Sequence, residues 1–282
     1  MKQDKSVILA LALGTLAALL LTAHASAQGF SEEFHQTYNL TPGGRIELRN
    51  INGSVKISSW SQNQVKVDAV KWANRKHRLD EAKIEVNAST DLVSIRTRYP
   101  EGVQTFRDDD YDNPASVEYT LTVPAGARLD EIKLINGNLE VRNMSARVYA
   151  ACINGKLTAS GLHGDTHLST INGRLDANFD RLDPRNRLEL SSVNGNVDVT
   201  LPSDANTELT AKTVHGFISN DLGLPADNDT FASHKLAARL GAGDSRVELK
   251  NVNGSIKVQR AADGKPASPV TNLLPKRESA EF

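Results

Sequence analysis

Apolar and polar residues alternate along most of the chain, in short runs that end at an Asn-Gly pair. Residues 45–57 read RIELRNINGSVKI and residues 246–258 read RVELKNVNGSIKV, with eight of thirteen positions identical. An alternation with a period of two predicts strands that bury one face. The best helical candidate, residues 72–86, is short and half charged, so no convincing helix is expected. The chain is therefore predicted to be all-β.

The Asn-Gly pair belongs to a repeated unit, in which an aliphatic residue precedes the pair and alternating apolar positions follow it. Six copies and one His-Gly variant occur, and their turn residues are Asn52, Gly53, Asn136, Gly137, Asn154, Gly155, Asn172, Gly173, Asn194, Gly195, His215, Gly216, Asn253 and Gly254. From Asn136 to His215 the turns lie 18, 18, 22 and 21 residues apart. Such a near-constant period is typical of repeat architectures.

Two architectures can use this turn. In a two-residue hairpin, Asn-Gly joins antiparallel strands and sets Leu48 opposite Ile57. In a solenoid, Asn-Gly is a corner, and each coil stacks on the equivalent strand of the next. The regular period favours the solenoid, because hairpins do not demand one. The aliphatic residue before Asn (Leu48, then Ile51) also falls out of phase with the preceding alternation, as a corner requires. We predict a single-domain β-solenoid, a right-handed parallel β-helix-like stack with coils of about 20 residues. An antiparallel β-sandwich of Asn-Gly hairpins is the alternative.

The repeated turn residues are predicted to have a structural role. Asn and Gly accept a positive φ more easily than other residues, so each pair marks a sharp turn. In a stack, the Asn amides would lie above one another and form a hydrogen-bonded ladder. We interpret His215 as a residue tolerated at the same turn rather than as a ligand. No catalytic, cofactor-binding or metal-binding residue is predicted.

The N-terminal residues predict export. Lys2 and Lys5 precede an apolar run at 7–21, and AHASAQ (23–28) offers the small residues that signal peptidase recognises. Residues 1–27 are thus expected to be a signal peptide and 28–39 a lead-in. The β-repeat domain is expected at 40–260, and residues 261–282 are interpreted as a flexible tail. No later stretch is long and apolar enough to span a membrane, so the exported chain is expected in the periplasm or at the cell surface.

Charge and cysteine content narrow the partners and the sources of stability. The 33 basic and 34 acidic residues nearly cancel, which argues against a nucleic-acid partner. The only cysteine, Cys152, cannot form an internal disulfide and is predicted to be a small buried residue. Stability must then come from packing and backbone pairing.

Two clusters have spacings found in metal sites. Asp108, Asp110 and Asp112 alternate as in a calcium loop, but Pro114 and the Tyr at 119 break its pattern, so a solvated loop is favoured. His163, Asp165 and His167 are spaced two apart and would share one face of a strand, as zinc ligands can. The turn-forming His-Gly-Asp sequence argues against that alternation. No metal or other cofactor is predicted.

Charged runs give two further hypotheses. The segment KWANRKHR could meet an anionic polymer through Lys71, Arg75, Lys76 and Arg78, although a solvated face is the simpler interpretation. Trp60 and Trp72 are expected to pack rather than to hold sugars. The repeated phrase carries alternating charges at Arg45, Glu47, Arg49, Arg246, Glu248 and Lys250. At the ends of a stack these charges would discourage edge-to-edge aggregation.

Residues 123–141 (VPAGARLDEIKLINGNLEV) and 241–258 (GAGDSRVELKNVNGSIKV) resemble the exported β-strand-repeat family labelled "putative adhesin", a domain of unknown function. They are more distantly similar to GIN-type adhesin-head domains. The resemblance covers roughly residues 40–260. It implies a β-helix-like fold and an envelope location, and it supplies no catalytic residues.

The sequence therefore predicts a non-enzymatic binding, adhesive or scaffolding surface in the cell envelope. An envelope glycan, a lipid headgroup or a protein could be the partner. One alternative is a signalling or envelope-stress accessory protein that binds a partner chain. Another is a polysaccharide-active enzyme on a β-helix, which would need clustered carboxylates that the repeats do not show.

Overall fold

The computed structural model describes residues 29–100, 113–227 and 234–274, and these residues form 21 strands and one short helix. The first half contains β1 (Phe30–Asn39), β2 (Arg45–Asn52), β3 (Val55–Trp60), β4 (Gln64–Ala73), α1 (Lys76–Glu81), β5 (Lys83–Ala88), β6 (Leu92–Arg98), β7 (Ser116–Pro124), β8 (Arg128–Asn136), β9 (Leu139–Arg142) and β10 (Val148–Asn154). The second half contains β11 (Leu157–Ser160), β12 (Thr166–Asn172), β13 (Leu175–Asn178), β14 (Arg187–Asn194), β15 (Val197–Leu201), β16 (Thr207–His215), β17 (Ile218–Asn220), β18 (His234–Leu240), β19 (Ser245–Asn253), β20 (Ile256–Arg260) and β21 (Val270–Asn272). The predicted signal peptide, Asp108, Asp110, Asp112 and residues 275–282 lie outside the described residues.

The strands form two long sheets. Sheet A has the order β1-β4-β7-β3-β9-β11-β13-β15-β20-β17, and sheet B has the order β21-β18-β16-β19-β14-β12-β10-β8-β2-β6-β5. Each Asn-Gly or His-Gly corner leads from a strand of sheet B to a strand of sheet A, so one coil contributes to both sheets. Equivalent strands of adjacent coils pair in parallel with Asn opposite Asn. The solenoid prediction is confirmed. The hairpin alternative is wrong, because the two strands beside each corner belong to different sheets.

The last two coils are stacked out of chain order. The coil that turns at Asn253 lies between the coils that turn at Asn194 and His215, because β19 pairs with both β14 and β16. The same insertion occurs in sheet A, where β20 pairs with β15 and β17. The second copy of the repeated phrase is therefore an internal coil, although it comes last in the sequence.

The core lies between the two sheets and runs along the whole stack. Alternate residues of every coil point inward, as Ile46 and Leu48 do from β2 and Val55 and Ile57 do from β3. These side chains belong to one continuous buried cluster. Because each coil buries its apolar face against the next coil as well as across the stack, stability is shared along the repeats.

Strands of other sequence cover both ends of the stack. Beyond the Asn52 coil, sheet A continues through β7 into antiparallel β4 and β1, and sheet B continues through β6 into antiparallel β5. Beyond the His215 coil, antiparallel β18 and β21 extend sheet B. The reversal of strand direction ends the repeat at each side.

Two predictions about these regions are wrong. Residues 261–274 do not behave as a free tail, because Ser268 donates a backbone hydrogen bond to Ser203 at 2.9 Å and β21 pairs with β18. A strand of three residues is too short to show an alternation in the sequence. The repeated phrase is not at a sheet edge, since β2 and β19 each have partners on both sides. Its charges form cross-strand ion pairs instead, such as Arg49 with Glu131 at 2.6 Å.

A helix also forms where none was expected. Helix α1 is six residues long and buries Leu79. Its charged residues pair within the helix, Lys76 with Asp80 and Arg78 with Glu81, which supports a helix too short to be stable alone. Within the described part of the chain, no helix has the length and apolar content needed to cross a membrane.

Candidate functional site: the corner column and the outer face of sheet B

The corner amides form a ladder along the stack. From Asn136 onward, each Asn Nδ2 donates to the Oδ1 of the Asn before it in the stack at 2.8–2.9 Å, in the order Asn52, Asn136, Asn154, Asn172, Asn194 and Asn253. The backbone stays in register through the corner, because each corner Gly N–H donates to the Asn carbonyl of the next coil. His215 occupies the seventh corner, where Gly254 donates to its carbonyl at 2.8 Å. The ladder accounts for Asn at these positions by contacts within the protein.

Glycine at the corner is required by the close approach of the coils. In six of the seven corners its φ is positive, between 109° and 147°. A Cβ at Gly155 would overlap the carbonyl oxygen of Gly137, and the same clash recurs at Gly173 and Gly195 with the glycine before each. Both the backbone angle and the space therefore exclude other residues.

A second column lies inside the corners, two positions before each corner residue, and all of its members except Leu134 are polar or Cys. Four of its side chains donate to the corner glycine carbonyl of the neighbouring coil, among them Cys152 to Gly137 at 3.3 Å and Asn251 to Gly195 at 2.7 Å. Ser192 and Thr213 make the equivalent bonds to Gly173 and Gly254. Burial raises the pKa of the Cys152 thiol to about 11, so this thiol is a protonated donor at neutral pH.

The aliphatic residue directly before each Asn points to solvent, and not into the corner as the sequence suggested. The residue before it, in the inner column, points inward, so the alternation of the strand continues unbroken up to the corner. We name the resulting row the aliphatic column; in stack order it is Ile51, Ile135, Ile153, Ile171, Val193, Val252 and Val214. Four of its members, Ile153, Ile171, Val193 and Val252, are 37–43 % exposed. Sequence reasoning missed this surface, because it read the aliphatic residue as a sign of a corner rather than as an exposed group.

The aliphatic column forms one wall of a shallow groove on the outer face of sheet B, which we call the corner groove. Its floor is the adjacent row of small residues, Ala151, Ser169 and Ser191, which are in register across β10, β12 and β14. Tyr149 and His167 form the other wall, with their rings stacked at 4.4 Å and 7°. Small residues between larger ones leave room for a ligand that lies across the strands.

Basic residues occupy both ends of the corner groove. At the β2 end, Arg49, Arg96 and Lys133 line a depression of about 520 Å³ beside Ile135 and Ile153. At the β16 end, Lys212, Lys235 and Lys250 line a depression of about 460 Å³. Lys212 lies directly opposite both other lysines in the strand register. Like charges in opposite positions repel one another, so each end of the groove favours an anionic group.

Some of these cations have neighbouring carboxylates and others do not. Arg49 and Lys133 share Glu131, which lowers the pKa of that carboxyl. Lys250 contacts Glu189 at 3.1 Å and Glu248 at 2.8 Å. Among the described residues, Arg96, Lys212 and Lys235 have no side-chain ion pair. The uncompensated charge therefore lies at the two ends of the groove.

The structure separates the three residues of the metal candidate. His163 lies before β12 and contacts Asp180 at 2.9 Å, whereas His167 is in β12 and contacts Glu189 at 3.3 Å. Asp165 accepts the backbone N–H of Arg187 at 2.9 Å. Within the described ranges, no three His, Cys, Asp or Glu side chains are grouped as metal ligands.

The basic run does not form one surface. Lys71 is buried, where it pairs with Glu32 at 2.9 Å and donates to the carbonyl of Ala82. Trp72, the next residue, faces the opposite side of sheet A and is 47 % exposed, so it lies outside the core. Trp60 donates its indole N–H to Gln64 at 2.8 Å and is held at the end of β3.

The shifted pKa values point to structural contacts. The carboxyl groups whose pKa is perturbed in the described ranges, among them Asp68, Glu131 and Glu189, all have a lowered pKa, with a hydrogen bond from a basic side chain as the largest cause for these three. Burial raises the pKa of Tyr119 to about 12, and its hydroxyl is hydrogen-bonded to Thr97 at 2.8 Å. Lowered carboxyl pKa values suit ion pairs and not general acids.

Comparisons with known proteins agree with the sequence resemblance. The family model described as Toastrack DUF4097 matches residues 44–259. A crystal structure of a putative cell adhesion protein from Clostridium sporogenes is 12 % identical, with a TM-score of 0.47, over 83 % of this chain and 100 % of that one. A putative adhesin from Bacteroides fragilis is 12 % identical, with a TM-score of 0.40, over 80 % of this chain and 97 % of that one. No curated protein matches the sequence.

Proposed function

We propose that this chain, which belongs to the Toastrack DUF4097 family, is a non-catalytic, exported binding protein of the cell envelope. Its corner groove would hold an elongated partner that carries acidic groups and an apolar part. The observation that supports this proposal is the aliphatic column, a continuous row of solvent-facing Ile and Val residues beside a floor of small side chains. Exposed apolar rows rimmed by polar groups are characteristic of binding surfaces.

The shape of the groove suggests an extended ligand. Coils in a sheet are about 4.8 Å apart, so the row from Lys133 across Ala151, Ser169 and Ser191 to Lys250 spans about 19 Å. Every coil contributes one equivalent aliphatic residue, and the affinity would come from several weak contacts in series. A stack held by backbone pairing and the Asn ladder keeps these contacts in fixed positions, which reduces the entropy lost on binding.

The charge distribution suggests acidic groups on the partner. Arg96 at one end and Lys212 and Lys235 at the other are uncompensated within the described residues. Their attraction for an anion would be weakened by salt, because they are near the surface. Contacts with the aliphatic column would persist at high salt. The electrostatic and the apolar contributions to the affinity can thus be measured separately, by varying the salt concentration.

The test is a pull-down with immobilised mature chain, residues 28–282, against envelope fractions separated into glycans, lipids and proteins. We expect one class to be retained, and Ile171→Asp to reduce its retention about 10-fold, because a charge replaces an apolar contact at the middle of the groove. Lys212→Ala/Lys235→Ala should reduce the salt dependence of retention. Ser160→Asp, on the outer face of sheet A, is the matched control and should bind as the unmodified chain does.

The outcomes separate the proposal from its rivals. Retention of a protein would favour the alternative of a signalling or stress accessory protein, whereas glycan or lipid would favour adhesion or scaffolding. The proposal fails if nothing is retained at any salt concentration, or if Ile171→Asp and Ser160→Asp bind equally. Far-UV circular dichroism and thermal melting of each variant would show that the fold is intact.

A further inference from the structure

Strand β1 leaves a long unpaired edge on sheet A. It pairs with β4 over ten residues, from Phe30 opposite Ala73 to Asn39 opposite Gln64, and it is the last strand of the sheet. The other edge strands in the described ranges are shorter: β17 and β21 have three residues each and β5 has six. An edge strand presents unpaired backbone N–H and C=O groups along its free side.

Several features that usually block such an edge are absent from β1. It contains no Pro, Lys or Gly, and its register with β4 has no bulge. One charged residue, Glu32, is on the side that faces the core, but its carboxylate is already paired with the buried Lys71. Within residues 29–100, 113–227 and 234–274, no strand pairs with the free side of β1, which leaves it open to another strand.

The sequence of β1 is nearly palindromic about Phe34. Reading outward from Phe34, Glu33 matches His35, Glu32 matches Gln36, Ser31 matches Thr37, and Phe30 matches Tyr38. Each pair joins groups of complementary chemistry: acid with base, carboxylate with amide, hydroxyl with hydroxyl, and aromatic with aromatic. In an antiparallel pair of identical strands centred on Phe34, these residues would lie directly opposite each other.

We propose that two copies of this chain pair through β1, antiparallel and centred on Phe34, so that sheet A continues across a twofold axis. The even-numbered residues of both copies then face the core side, where Phe34 and Tyr38 already pack against the core of their own copy. Glu33 of each copy faces His35 of the other on the outer side. Each copy offers one β1 edge, so the assembly closes as a dimer.

Neighbouring registers are less favourable. A shift that centres the pair on Glu33 sets two carboxylates opposite each other and places Phe30 opposite Gln36. A shift that centres it on His35 sets two imidazoles opposite each other and places Phe34 opposite Gln36. Like charges in opposite positions destabilise a strand pair, so the sequence selects the register centred on Phe34.

The first test measures dimerisation of residues 28–282 by sedimentation velocity over a range of concentrations. Two double variants differ only in the sign of one charge. Ser31→Glu/Thr37→Glu places like charges opposite each other twice in the dimer, and Ser31→Lys/Thr37→Glu places opposite charges there. Both positions are exposed, and Thr37 lies opposite Lys66 of β4, which accommodates the acidic residue in either variant. We expect the first variant to have a dimer Kd about 10- to 100-fold higher than the second.

The second test reads the register by disulfide cross-linking in a Cys152→Ser background. Phe34→Cys puts two thiols on the twofold axis, within the distance that a disulfide requires. Gln36→Cys is the matched control, because it faces Glu32 of the other copy and cannot bridge symmetrically. We expect a cross-linked dimer only from Phe34→Cys. The proposal is overturned if the unmodified chain is monomeric at every concentration, if the two charge variants have equal Kd values, or if Gln36→Cys cross-links as readily as Phe34→Cys.

Discussion

The coils in the middle of the stack pack against copies of themselves, whereas the coils at its two ends pack against strands of other sequence. Between Asn136 and Asn194 each coil meets a copy of itself, so the ladder and the corner glycine are repeated without change, and Cys152 and Ser192 repeat the inner donor. At the first coil the neighbour is β7, and Asn50 donates to the carbonyl of Val117 at 2.8 Å where other coils use a glycine. At the opposite end of the stack, in the coil that turns at His215, His replaces Asn and Phe217 is 67 % exposed.

This difference shows where a repeat can specify structure and where it cannot. A repeated coil supplies its own partner, so one short sequence fixes both strands, the corner and the ladder. An end coil has a repeat on one side only, and a different sequence must cover the other. The corner groove extends over the uniform middle, where equivalent side chains lie at equal spacing. A regular binding surface is thus a consequence of the uniform region, and the ends supply its charge.

The largest expected effect is at a corner glycine. Gly155→Ala should destabilise the protein by about 4 kcal/mol or more, because the new Cβ overlaps Gly137 and the positive φ is strained. Gly216→Ala meets a similar clash but is in the last coil, which can shift outward, so its cost should be about half. Gly126→Ala is the control, since a Cβ there has open space, and should change stability by less than about 0.5 kcal/mol. Urea unfolding measures all three, and equal costs at positions 155 and 216 would contradict the comparison.

A smaller effect is expected in the Asn ladder. Asn154 donates to Asn136 and accepts from Asn172, whereas Asn52 at the end of the ladder only accepts. Asn154→Ala should therefore cost about 1–2 kcal/mol and Asn52→Ala about half as much. The free energies of unfolding of both variants check this ratio. A greater cost at position 52 would show that the end of the ladder depends on contacts other than the amide bonds.

The smallest effect concerns the inner donor column and pH. The pKa of the Cys152 thiol is raised to about 11 in the folded protein from an ordinary value of 9.0. Below pH 9 the thiol is protonated in both the folded and the unfolded state, and its contribution to the free energy of unfolding is fully present. Between pH 9 and pH 11 only the unfolded state releases the proton, so stability falls as pH rises.

Cys152→Ser should lack this alkaline loss and otherwise retain stability close to that of the unmodified chain, because the hydroxyl can donate to the same Gly137 carbonyl. Melting temperatures of both proteins from pH 7 to pH 11 separate the effect from titration of Tyr99 and Tyr119, which is common to both. If the melting temperatures of both proteins change in parallel from pH 7 to pH 11, the result would contradict a buried thiol at this corner.

The repeating part of the fold was predictable from sequence, and the parts that depend on non-local contacts were not. The period of the Asn-Gly pairs predicts coils, parallel pairing and stacked amides, because each coil meets the same residues again. The order of the last two coils was not predictable, since β19 has the same pattern wherever it is inserted. Nor were α1 and β21, whose short sequences are stabilised by contacts with strands far away in the chain.

The candidate site was only partly visible in the sequence. The basic residues Lys212, Lys235 and Lys250 are far apart in the chain, and only the sheet register brings them together. The aliphatic column was present in every copy of the repeat, but an Ile or Val beside a turn usually indicates burial. The signal was the residue directly before the aliphatic one, which is small or polar at Cys152, Thr170 and Ser192. Because that residue points inward, the alternation of the strand places the aliphatic residue outside.

The stacking order of the last corners decides whether Lys250 or Lys212 lies next to Ser191 at the end of the corner groove, and disulfide formation measures that order. In a Cys152→Ser background, Asn194→Cys/Asn253→Cys places two thiols on directly paired strands. Asn194→Cys/His215→Cys places them two strands apart, about 9.6 Å, which is too far for a disulfide. We expect rapid oxidation of the first pair and none of the second. A disulfide between positions 194 and 215 would show that the coils follow chain order and would contradict the inserted coil.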